Sequence, residues 1–113
     1  MHETAVLSEV VNIVVTAAKN NEIEKITKVV LRIGEFSCIQ EDQLMFSYDI
    51  ITQNTILEGS NLVIEWVQAM AYCNNCNKTF PISFTHKECP TCHKFSEEIV
   101  SGYETHVYNI EGE

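Results

Sequence analysis

The stretch "CNNCNKTFPISFTHKECPTC" limits this chain more than any other part of it. It reads Cys73-x2-Cys76-x12-Cys89-x2-Cys92, two short loops that each aim a pair of sulfurs at one point. Four thiolates suit tetrahedral Zn(II), and a shell of four sulfurs leaves the ion no open position. A short polar loop of this kind cannot order itself by burial alone, so the metal would supply its folding energy. A structural Zn(II) held by Cys73, Cys76, Cys89 and Cys92 is therefore expected. Other chemistries share parts of the pattern. A rubredoxin-like iron site uses the same ligands. A thioredoxin-like redox pair would not need the second CxxC. "CPTCH" matches the haem-attachment pattern but leaves the first pair unexplained.

The rest of the chain is ordinary in make-up. Of its 113 residues 45% are hydrophobic and 20% charged, which suits one small α+β domain with a metal-stapled module. Residues 4–19 repeat apolar side chains at helical spacing through Val6, Leu7, Val10, Val11, Val14, Ala17 and Ala18, with Thr4 as the expected N-cap. "ITKVVLRIGEF" reads as a strand ending at Gly34. Residues 41–54 return to a helical period on Leu44, Tyr48 and Ile51. "LVIEWV" reads as a strand with Leu62, Ile64 and Trp66 on one face, and the tail from Tyr103 to Ile110 as a third strand returning to the same sheet. The fold expected is α+β: two helices on a roughly three-stranded sheet, over 1–70 plus 96–113. A zinc-ribbon-like module over 71–95 is inserted between two of its strands.

Charge narrows the partners. Sixteen acidic and seven basic residues give a net charge of −9, which phosphate backbones repel. The ribbon carries only Lys78, Lys87 and Lys94 and no aromatic–basic stripe, so no nucleic acid is expected. No run of eighteen apolar residues and no secretory signal are visible, so the expectations are no membrane and a cytoplasmic location. No nucleophile–base, phosphate-loop or paired-acid motif is seen, so no enzyme is expected. Cys38 is expected to pack as a small half-buried hydrophobe. His86, His93 and His106 are expected to lie outside any ligand set. The alternative function is a zinc-ribbon module for nucleic-acid binding or protein docking.

The chain opens "MHET". An amine or amide nitrogen and the His2 imidazole can chelate one ion in small fused rings, and such nitrogen-rich sites favour Ni(II) or Cu(II). "MHE", "VVLRIGEFSCI", "LEGSNLVIEW", the paired CxxC motifs and "SGYETHVYNIE" together resemble the HypA/HybF family of nickel-delivery proteins for [NiFe]-hydrogenase maturation. That resemblance implies weak binding of Ni(II) by Met1, His2 and Glu3, with His2 the principal side-chain ligand. It implies zinc on the four cysteines. It also implies two partners, a GTPase that works in nickel insertion and the hydrogenase large-subunit precursor. A monomer or homodimer is compatible with all of this.

Overall fold

The computed structural model describes residues 3–113. Its elements run α1 (Glu3–Asn20), β1 (Ile26–Gly34), α2 (Glu41–Ile51), β2 (Asn61–Val67), β3 (Met70–Cys73), β4 (Lys78–Pro81), β5 (Ile99–Ser101) and β6 (Thr105–Gly112). Two three-stranded sheets form, in the orders β2-β1-β6 and β4-β3-β5. The fold is thus mixed α+β, with two helices, two small sheets and a four-cysteine cluster. The chain divides into two compact units. The larger runs to Arg32 and takes in Cys38–Glu65 and Thr105–Glu113. The smaller comprises Ile33–Ser37 and Trp66–Glu104.

In the larger unit the helical period of α1 delivers what it promises. Val6, Leu7, Val10, Val14 and Ala18 are buried on one face, each three or four residues from another of the set, while Val11 and Ala17 at its margin are half-buried. Each valine or leucine removed from water contributes about 1.5–3 kcal/mol before entropy is counted. Glu3 in the first turn and Lys19 in the last complement the helix dipole. Thr4 lies inside the helix and not ahead of it, so it is not the N-cap. The helix ends in a Schellman arrangement: Ile23 N–H donates to the Ala18 carbonyl at 2.9 Å and Glu22 N–H to Lys19 at 3.4 Å, with Glu22 left-handed at φ 57°.

Helix α2 buries Leu44 and Tyr48, while Ile51 is half-buried. It stops at Thr52, a buried residue whose Oγ1 donates to the Tyr48 carbonyl at 2.7 Å. Strand β1 is central, with Ile26, Val29, Leu31 and Ile33 fully buried. The tail strand does return to it as β6. Strand β2 departs from its alternation. Leu62 is buried, Ile64 half-buried and Trp66 45% exposed, so the three do not share a buried face. β2 is an edge strand, and pleating alone does not cover such a strand.

The smaller unit has its own core: Phe36, Ala69, Ala71, Phe80 and Ile82 cluster with Cys73 and Cys89. Antiparallel pairing of β3 with β4 sets Ala71 opposite Phe80 and Cys73 opposite Lys78. Cys38 differs from expectation: it is exposed, in a left-handed turn at φ 60°. The left-handed backbone of the segment after β1 holds it at the surface.

Candidate metal centre

Each CxxC sits at the tip of a hairpin. Cys73 ends β3, Lys78 begins β4, and the four residues between them turn the chain. The second tip is closed by Cys89 N–H donating to the Lys94 carbonyl at 2.9 Å and His93 N–H to the Cys89 carbonyl at 2.8 Å, beside a bridge between Glu88 and Phe95. The Lys78 ammonium donates to the Thr91 hydroxyl and so ties one tip to the other. Asn77 and His93, the residues after the second cysteine of each pair, are both left-handed, at φ 53° and 62°. The two tips therefore use the same turn, although one carries asparagine and the other histidine.

The sulfurs of Cys73, Cys76, Cys89 and Cys92 all lie within 4.8 Å of one another. Cys73 and Cys92 are 3.6 Å apart, Cys89 and Cys76 3.9 Å. A zinc ion bonded to four sulfurs at about 2.3 Å spaces them by roughly 3.8 Å at the corners of a tetrahedron. The two distances bracket that value, and they are far too long for a disulfide, whose sulfurs stand about 2.0 Å apart. The donor set thus fits a tetrahedral thiolate-binding ion. Cys73 and Cys89 are buried, Cys76 and Cys92 half-buried, so the cluster is rooted in the unit's core.

Local hydrogen bonding prepares the thiolates. Backbone N–H groups of Cys92 and Thr91 point at the Cys89 sulfur and bring its thiol down to about 6 against the opposing effect of burial. The Lys94 N–H does the same for Cys92, lowering it. Burial, followed by the neighbouring sulfurs, pushes Cys76 up to about 12. Cys89 is therefore the readier thiolate, while Cys76 needs the cation to draw off its proton.

Of the other candidates, Glu3 lies in the first turn of α1, whereas Met1 and His2 fall outside the described residues. His86 and His93 are exposed and contribute nothing to the sulfur cluster. His106 is an exposed residue of β6, in the larger unit. Reading the sequence missed the left-handed turn at Asn77 and His93. Their shared position after each CxxC was the available signal. Among the described residues no helix is long and apolar enough to cross a membrane.

Comparison with known proteins meets these features over the full chain. A family model described as "Hydrogenase/urease nickel incorporation, metallochaperone, hypA" matches residues 1–112. Hydrogenase maturation factor HypA of Geotalea uraniireducens is 34% identical over 113 residues, all of both chains. Hydrogenase maturation factor HybF of Escherichia coli is 31% identical over the same length, again all of both. The solution structure of the Ni metallochaperone HypA from Helicobacter pylori shares the fold, with a TM-score of 0.71 at 24% identity, covering 99% of this chain and 97% of that one. The chain belongs to the HypA family of hydrogenase and urease nickel-incorporation metallochaperones.

Proposed function

We propose that this protein binds Ni(II) through Met1, His2 and Glu3 and delivers it to the immature large subunit of a [NiFe]-hydrogenase, working with a GTPase partner. It acts as a carrier and not as an enzyme, in the cytoplasm, as a monomer or homodimer. Residues 1–70 plus 96–113 form the nickel-binding domain. Residues 71–95 form the zinc-binding module, in which Cys73, Cys76, Cys89 and Cys92 hold a structural Zn(II).

The observation that carries the reading is the closed tetrahedron of sulfurs. An ion there has every position filled by one buried or half-buried chain, which suits a resident ion and not a cargo. A delivered ion needs a site that opens, and the nitrogen donors of "MHE" are the chemically distinct alternative. Thiolates and imidazole then sort two metals by softness. Glu3 in the first turn of α1 supports a weak site there. The helix dipole opposes a cation at that end by about 0.3–1 kcal/mol, and the carboxylate offsets it.

Metal analysis and Ni(II) titration of the intact protein beside His2→Ala test the proposal. Nickel binding should disappear in the variant, with zinc content and helical signal unchanged. Inserting one residue before His2 should weaken nickel binding too, since it alters the chelate rings. Equal nickel affinity in intact protein and His2→Ala would overturn the N-terminal site.

A further inference from the structure

Outside the sulfur cluster, the larger unit holds a groove between a helix face and a sheet edge. Val6, Glu9, Val10 and Ile13 line it from α1, and Thr105, His106 and Val107 from β6. The four helical residues follow i, i+3, i+4, i+7 and so form one continuous stripe. Strand β6 closes one edge of the sheet, and among the described residues no strand lies beside its outer row of N–H and C=O groups. Between them is a cavity of about 150 Å³. An apolar cavity of roughly that size accepts a ring or a branched aliphatic group.

We propose that this groove binds an extended segment of a partner protein as a fourth strand on β6, with an apolar side chain in the cavity and a lysine or arginine beside Glu9. Three observations specify the occupant. The helix-and-edge-strand geometry is the one in which a peptide gains main-chain bonds from a strand and side-chain selectivity from a helix. The Thr105 Oγ1 is buried with no hydrogen-bond partner, a cost that a donor on the bound segment removes. Glu9 is exposed and makes no ion pair among the described residues, so the rim is anionic. That rim, on a chain of net charge −9, favours a basic segment and disfavours a second copy of this chain. Two of the lining residues, Val6 and Val10, are core residues, whereas Ile13 stands 47% exposed at the mouth. The proposal does not depend on which metal the chain carries.

The test uses the intact zinc-loaded protein and a library of random octapeptides displayed on phage. Recovered peptides should alternate apolar residues with lysine or arginine. The tightest, made synthetically, should bind Glu9→Lys and Ile13→Glu at least tenfold more weakly than the parent, with helical signal and zinc content of both variants unchanged. Two N-methylated forms of that peptide give a second measurement that needs no protein variant. Only alternate residues of an added strand bond to the edge. Methylation of one alternate set should therefore abolish binding, and methylation of the other should leave it. Equal binding by both methylated forms, equal binding by both variants, or a library that yields no binder would each overturn the proposal. So would a dimer of the unliganded protein that Ile13→Glu disperses, because it would give the groove to a second copy.

Discussion

A Cβ at position 34 would stand 2.1 Å from the carbonyl carbon and oxygen of Gly102, closer than any van der Waals contact allows. Gly102 is itself at φ 123°, and its carbonyl accepts the Phe36 N–H at 2.7 Å, so it cannot move aside without losing that bond. Gly34→Ala should therefore destabilise the protein by about 1–3 kcal/mol, the usual cost of forcing an extra carbon into a packed site. Denaturant unfolding measures it, and a change below about 0.5 kcal/mol, the size of an ordinary surface substitution, would contradict the packing argument. His93 carries the opposite lesson. Its left-handed backbone costs roughly 1–2 kcal/mol for a side chain with no local compensation. His93→Gly should raise the melting temperature of the zinc-loaded protein and His93→Val lower it. If both melt alike, the turn is not strained. Neither feature is spelled in the sequence. Gly34 was legible as the end of a strand, but its tight contact comes from a residue 68 positions away. His93 looks like a metal-flanking histidine, and only its place after the CxxC, shared with Asn77, hints at a turn position.

Elements with a strong apolar period were the legible ones. α1 and β1 bury the residues their patterns select, because a helix stripe or a central strand leaves little choice of face. β2 is a strand as its alternation predicts, but the depth of its side chains is not in the pattern. Alternation assigns residues to two faces, but says nothing of how far a covering layer extends, and Trp66 lies beyond that cover. The two knuckles were legible from spacing, and their electrostatics were not. Those depend on which backbone N–H groups meet which sulfur, and they have a consequence for pH. The Cys89 thiol falls from its ordinary 9.0 to about 6 in the folded chain, so its thiolate stabilises the fold fully above pH 9 and loses that contribution as pH drops through 6. Cys92 is lowered as well and acts in the same direction. Cys76, raised to about 12, acts in reverse: it favours the fold below pH 9 and loses the contribution as pH climbs through 12. Between pH 6 and 9 the first pair governs. The zinc-loaded protein should therefore melt at lower temperature at pH 6, where protons compete with the ion for the thiolates, than at pH 8.5, and Cys89→Ser should reduce the dependence. A melting temperature that is flat or rises toward pH 6 would contradict this.

At the scale of the whole molecule, two units with separate sets of buried residues should answer metal removal separately. The larger holds both helices and buries Leu7, Val14, Leu44 and Tyr48 without help from any cysteine in the cluster. The smaller counts Cys73 and Cys89 among its few buried side chains, so its core and its cysteine cluster are one structure. Taking the ion away removes both a crosslink and folding energy from that unit alone. The chain also carries its own reporters. Its single tryptophan, Trp66, belongs to the smaller unit, and the helical signal near 222 nm comes from the larger. Titration with a strong chelator should therefore shift the tryptophan emission and expose four reactive thiols beyond Cys38, while most of the helical signal stays. Re-addition of zinc should restore the emission. The same dissociation should follow from Cys73→Ala, which removes one ligand, and heating the treated protein should melt the helical signal with no further change in tryptophan emission. Loss of the helical signal in step with the tryptophan change would mean that the units fold as one, and that the zinc staples the whole chain.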